Sequence, residues 1–182
     1  VAGATLPITA LQILWINMTT AVLLGLPLAF EPVEGKVMHR PPRPPAAPIL
    51  DRVLIVRIML VGVLMLAGAF GLFLLALERG QSLAEARSIA VNVFVMIELV
   101  YLFNCRSLER PLWGVAPFSN LWVWGGAVTM LLLQLAFTYL PLFQQVFGTA
   151  AIGVQAWAEI ALVAIAALLV IEGEKALRRE KR

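Results

Sequence analysis

"LQILWINMTTAVLLGLPLAFEP", residues 11–32, is the stretch on which the fold turns. From Leu11 to Phe30 it carries no charged side chain. At about 1.5 Å rise per residue, a helix over this run reaches across about 30 Å of hydrocarbon. In that medium every backbone N–H and C=O must be paired within the segment or with a close neighbour, which leaves only a helix or a closed barrel. The run lacks the period-2 alternation of a barrel strand, so a membrane-spanning helix is expected. Asn17, Thr19 and Thr20 sit near its middle and need a separate reason to be there.

The rest of the chain repeats the pattern. Further apolar runs lie at about Val53–Leu77, Ser88–Cys105, Ser119–Leu140 and Val154–Ile171, which makes five spans. The composition agrees: of 182 residues 61% are hydrophobic and 14% charged, with a mean hydropathy of +0.90, far more apolar than an average soluble domain. The expected fold class is all-α, an integral membrane bundle of five transmembrane helices. Cys105 is the single cysteine, so neither an intrachain disulfide nor a cysteine-rich metal site can form within the chain.

The connections carry the charge. Residues 31–52, "EPVEGKVMHRPPRPPAAPILDR", are too rich in proline for a regular helix and read as a stiff, extended loop. The tail from residue 172, "EGEKALRREKR", reads as a charged continuation of the last helix into water. With five crossings, every Lys and Arg except Arg79 and Arg87 falls on one side of the membrane, twelve of the fourteen. The positive-inside rule then places the proline loop and the tail in the cytoplasm of a multi-pass cell-membrane protein, with the N-terminal end outside. That same placement of basic residues explains the net charge of +3 without a nucleic-acid partner. Trp113, Trp122, Trp124, Tyr139 and Trp157 fall near helix ends, where interfacial aromatics are expected. Because no leader precedes the first apolar run, the chain reads as a piece of a longer one.

Polar groups inside the spans are the candidate functional residues. Glu98 lies well inside the third span, with no basic residue within one turn. It is either a protonated carboxyl hydrogen-bonded to a neighbouring helix or part of an ion or proton path. Asn17 and Thr20 are three apart and share a helix face, whereas Thr19 points elsewhere. Their oxygens suit a hard cation once an anionic oxygen joins them; alternatively Thr20 bonds back to its own helix and Asn17 bridges to a neighbour. Asn92 reads as a link between helices, Gln134 and Glu159 as weaker signals, and His39 as a solvated residue of the loop. Ala67 and Gly71, four apart in "GVLMLAGAFG" (62–71), read as a close helix-packing face. Phosphate-cradling, metalloprotease and nucleophile-elbow motifs are absent from the sequence, so any use of ATP must lie in another part of the protein.

Four segments, in order and covering nearly the whole chain, carry a family likeness. "LPITALQILWINMTTAVLLGLPLAFEP" (6–32) resembles the sixth transmembrane helix of P-type cation-transporting ATPases of the calcium-pump and sodium-pump class. "VMHRPPRPPAAPIL" (37–50) is similar to the following cytoplasmic loop, "VMIELVYLFNCRS" (95–107) to the eighth helix and its exit, and "PLFQQVFGTAAIGVQAW" (141–157) to the outer loop before the tenth. The resemblance implies that residues 1–182 form the C-terminal transmembrane domain, helices six to ten, of an ATP-driven pump. The other five helices and the phosphorylated, nucleotide-binding and actuator domains would belong to the remainder of that pump, its main partner besides the lipid bilayer. The implied ligand is a transported cation, with ATP and Mg2+ engaged only by those other domains.

Carried over position by position, Asn17 and Thr20 match sixth-helix cation ligands and Glu98 matches an eighth-helix carboxylate. The family's next ligand, an aspartate, is Ala21 here. Val22 and Leu24 replace the glycine and proline that help to unwind the family helix, while Gly25 and Pro27 offer a break one turn later. With one carboxylate fewer, the expectation is a single ion, a monovalent ion, or charge supplied by the fourth and fifth helices rather than two calcium ions. The rival readings are a membrane anchor or regulatory domain that keeps the fold without transport, and an independent small channel or permease.

Overall fold

The computed structural model describes residues 5–32, 44, 48, 50, 52–107 and 114–180. His39, Trp113 and most of the proline loop lie outside the described residues, as do Lys36, Arg40, Arg43, Arg110, Lys181 and Arg182. The elements are α1 (Ala10–Thr20), continued by a wide π turn over Ala21–Gly25 and a tight 3-10 turn over Leu26–Phe30, then α2 (Arg52–Glu78), α3 (Leu83–Cys105), α4 (Leu121–Tyr139), α5 (Pro141–Phe147) and α6 (Val154–Glu180). No strand occurs among the described residues, and five of these helical stretches are long and apolar enough to cross a membrane. The fold class is therefore the all-α membrane bundle expected.

Local chemistry sets where the helices start. Thr9 opens α1 with a reciprocal capping box: its hydroxyl accepts from the Gln12 N–H and its own N–H donates to Gln12 Oε1 at 2.9 Å. Ser82 and Glu85 repeat the arrangement at α3, which therefore starts five residues before the expected Ser88. Asn120 caps α4, accepting the Trp122 N–H at 3.0 Å. The short α5, within a stretch expected to be a loop, starts at Pro141 and ends at Gly148, whose φ of 62° is left-handed.

The centre of the bundle is α3. In its most apolar window 61% of residues are buried, against 17% for α1 and α2. One side, through Ile89, Ala90, Val93 and Ile97, packs with Ala69 and Phe73 of α2 and Ala156 and Ile160 of α6. The other side, through Val91, Val95, Leu99 and Leu102, packs with Ile16 and Leu24 of the first span and Val123, Ala127 and Met130 of α4. Lipid offers no hydrophobic drive between helices, so close backbone approach through small residues matters most. Among the described residues the expected Ala67 and Gly71 are exposed. The close approach falls at Gly68, where a Cβ would lie 2.7 Å from Val163 Cγ1 and 3.2 Å from Val93 Cγ1.

The two ends of the bundle carry different polar contacts. At one end Arg79 pairs with Glu159 at 2.6 Å and Arg87 Nε donates to the Leu6 carbonyl. At the other, α6 runs on as helix beyond Ile171, and its first polar turns are not free in water as expected. Glu172 and Lys175 are buried, and Lys175 Nζ donates to the Asn104 and Ser107 carbonyls, each at 2.9 Å. Arg57, 1% exposed, pairs there with Glu174 at 3.2 Å. The Arg57–Glu174 pair ties α6 to α2, and the Lys175 hydrogen bonds tie it to the exit of α3, because a charge that cannot reach water must find a partner.

Candidate functional site

The first span changes pitch where its polar residues sit. The Ala21 N–H donates to the Asn17 carbonyl, four residues back, but the Leu26 N–H reaches the Ala21 carbonyl, five back. One extra residue is thus accommodated in the turn, a device that disrupts the regular pairing of backbone groups and recurs at functional sites. Pro27 then contributes no N–H, and the helix tightens into the 3-10 turn. The break expected from Gly25 and Pro27 therefore reaches back to Ala21, directly beside Thr20.

The altered turn faces α3 across an open-sided cleft of about 530 Å³. Asn17, Thr20, Ala21 and Gly25 line one wall, and Glu98, Tyr101 and Cys105 line the other. Glu98 and Thr20 face each other across it. The Thr20 hydroxyl donates to the Ile16 carbonyl at 2.8 Å, which leaves its oxygen lone pairs on the side of the cleft. Glu98 Oε2 is buried and has no hydrogen-bond partner among the described residues. Asn17 and Ala21 stand on the exposed side of the wall.

An orphaned carboxyl oxygen, a hydroxyl and a primary amide form a set of hard oxygen donors, suited to an alkali or alkaline-earth cation rather than to a soft metal. Among the described residues no group of three or more His, Cys, Asp or Glu is placed to hold a metal ion. The cleft thus offers one acidic group, Glu98, and neutral oxygens, with Ala21 contributing a methyl at the middle of its wall.

The other polar residues divide as follows. Thr19 bonds back to the Trp15 carbonyl at 2.7 Å and takes no part in the cleft. Asn92 donates to the Ser88 carbonyl at 2.8 Å and to Thr138 Oγ1 at 3.1 Å, linking α3 to α4. Gln134 accepts from Trp15 Nε1 at 3.4 Å, and Glu159 is engaged by Arg79 and Gln155 far from the cleft. Tyr101 and Cys105 were not expected at the site. Their signal in the sequence was spacing alone: three and seven residues after Glu98, they continue its face along α3.

Comparison with known proteins agrees with this architecture. Residues 5–177 match the family model described as "Cation transporting ATPase, C-terminus". The chain is 47% identical over 177 residues to "Probable cation-transporting ATPase F" of Mycobacterium tuberculosis, covering 97% of this chain and 20% of that protein. It is 34% identical to the "Calcium-transporting ATPase" of Bacillus subtilis over 84% of this chain and 17% of that one. With the mouse "Calcium-transporting ATPase type 2C member 2" it shares 31% identity over 79% of this chain and 15% of the relative. The chain thus spans about a fifth of the length of these relatives.

Proposed function

Because this chain belongs to the cation-transporting ATPases, matching their C-terminal membrane region, we propose that it forms part of the membrane half of an ATP-driven cation pump, with Asn17, Thr20 and Glu98 lining the ion's path. The observation that carries this reading is the cleft itself. Thr20 and Glu98, 78 positions apart, are brought to opposite walls of one cleft at the point where the first span loses its regular pitch. A membrane protein with no use for a half-buried carboxyl there would be more stable without it, since a polar group at that depth costs about 2.5–3.5 kcal/mol or more when charged.

In this reading the ion takes up the free Glu98 oxygen together with the Thr20 and Asn17 oxygens. The remaining charge for the site, the nucleotide-binding and phosphorylation machinery and the Mg2+ that accompanies ATP belong to the other four fifths of the pump. The end bearing Arg57, Arg106 and Lys175 is cytoplasmic under the positive-inside rule, and the end bearing Arg79 and Arg87 faces out.

The test uses the full-length pump. Glu98→Gln and Asn17→Ala each raise the cation concentration needed for half-maximal ATPase activation, while Glu159→Gln leaves it unchanged. Unaltered activation in both Glu98→Gln and Asn17→Ala overturns the site and favours the non-transporting anchor that Ala21 suggests.

A further inference from the structure

The altered turn of the first span is gripped from outside the cleft by the start of α4. In a continuous α-helix the Pro27 carbonyl would accept the Glu31 N–H. Here that N–H goes to the Leu28 carbonyl at 3.1 Å, and the Pro27 carbonyl, an acceptor within the 3-10 turn, also takes Asn120 Nδ2 at 2.9 Å. Asn120, 2% exposed, also donates to Glu31 Oε2 at 2.9 Å while its Oδ1 caps α4. One turn and a half further on, the backbone of Gly126 meets the Leu23 carbonyl, the very group that lost its four-residue partner when Pro27 supplied no N–H. A Cβ on Gly126 would stand 2.0 Å from that oxygen and 3.0 Å from Pro27 Cγ. A Gly126 Cα hydrogen takes that direction instead, in the manner of the weak C–H to carbonyl contacts of packed membrane helices.

We propose that Asn120 and Gly126 are positioning residues for the cation cleft, which fix the unwound register of the first span by holding the Pro27 and Leu23 carbonyls. Neither Leu23 nor Pro27 lines the cleft, whereas Thr20, Ala21 and Gly25 do. The α4 contacts therefore set where the wall's oxygens stand without touching the ion. Each carbonyl is one that a regular helix would have satisfied internally. Returned to regular α pairing with Leu23–Pro27 still held by α4, the turn takes up one residue fewer and rotates Asn17 and Thr20 by about 100° relative to that held segment and to Glu98. The inference rests on the cleft being the cation site, and its test separates the two.

Four variants of the full-length pump are compared in two measurements: hydrogen exchange of the amides at 21–28, and the cation concentration for half-maximal ATPase activation, with the KM for ATP alongside. Gly126→Ala and Gly125→Ala make the same change in helix propensity one residue apart, but a Cβ at Gly125 meets nothing within 4 Å. Asn120→Asp keeps an acceptor for the Trp122 N–H and loses the donor to Pro27. Glu98→Gln reports on the cleft itself. Expected are faster exchange at 21–28 in Gly126→Ala and Asn120→Asp, and half-activation raised about tenfold or more, since a ligand oxygen displaced by about 1 Å loses most of its hold. The KM for ATP stays unchanged, and Gly125→Ala behaves as the parent. If Gly126→Ala does not accumulate, Asn120→Asp decides. Faster exchange with unchanged half-activation overturns the inference, as does a Gly126→Ala that matches Gly125→Ala. If Glu98→Gln leaves half-activation unmoved, it is the cation reading of the cleft that has failed, whatever the α4 variants do.

Discussion

Arg106 holds together the end of the first span, the exit of α3 and the approach to α4, and its removal has a cost that the geometry allows to be apportioned. Its Nε donates to both Glu31 oxygens at 3.1 and 3.2 Å, and Nη2 donates to Oε1 at 2.9 Å. The other donors reach the Pro117 carbonyl at 3.0 Å, the Ala116 carbonyl at 3.1 Å and Ser119 Oγ at 2.6 Å. Arg106→Ala does not orphan the carbonyls, because Pro117 keeps the Trp124 indole N–H at 2.7 Å and Ala116 keeps the Ser119 N–H at 3.2 Å. The loss therefore falls on Glu31, whose side chain is 17% exposed and would retain only Asn120. Breaking a buried pair in this way costs about 3–5 kcal/mol, and the partial exposure of Glu31 argues for about 3.

Hydrogen exchange on the full-length protein reads this locally. Amides at 28–31 and 119–124 should exchange about 150-fold faster in Arg106→Ala, the equivalent of about 3 kcal/mol, while amides at the Arg79–Glu159 end stay as they were. With Glu31→Gln as background no charge is left unpaired, and the same Arg106→Ala change should cost only about 1 kcal/mol, a coupling of about 2 kcal/mol. Arg106→Lys keeps the charge but not the planar fork, and should fall between the parent and the alanine variant. Less than a threefold change in Arg106→Ala, or an equal cost with Gln at position 31, would refute the reasoning, since the side chain would then be acting through packing and not through the carboxylate.

Three other changes test other parts of the molecule. Gly68→Ala should lower the temperature of thermal inactivation in detergent because its Cβ meets the stiff Val163 side chain at 2.7 Å. Gly71→Ala, where a Cβ meets nothing within 4 Å, should be neutral or stabilising, with about 2 kcal/mol between the two; equal behaviour would show that α2 does not pack as described. Restoring the carboxylate with Ala21→Asp should shift ATPase activation toward divalent ions in a screen of alkali and alkaline-earth salts, and an unchanged order of ions would remove position 21 from the determinants of selectivity.

Much of the candidate site was legible because membranes make polar residues conspicuous. Glu98, Asn17 and Thr20 stand out in apolar runs, and the face shared by Asn17 and Thr20 follows from helical spacing. Asn92 read as a link between helices, and its bond to Thr138 does join α3 and α4. Other features left no such trace. Ala67 and Gly71 differ from Gly68 by one and three positions in a run of small residues, and only the placement of Val163 and Val93 determines which of them is pressed against a neighbour. Lys175 in a charged tail looks like any solvated lysine until the carbonyls of Asn104, in α3, and Ser107, just beyond it, are set beside it.

The sequence by itself determined five spanning helices, since hydrocarbon thickness fixes their length and the lack of water forces the backbone to pair internally. It also determined which end carries the basic residues and which polar groups had to be explained. Only the tertiary structure decided that Glu98 faces Thr20, that the first span widens at Ala21–Gly25 before it tightens, and that α4 holds that turn open. Those outcomes depend on how five helices rotate against one another, and rotation is set by side chains far apart in sequence that no local pattern brings together. Pro27 announces that the Leu23 carbonyl will lose its partner; it takes Gly126, about a hundred residues later, to meet that carbonyl, and Asn120 to bond the Pro27 carbonyl beside it.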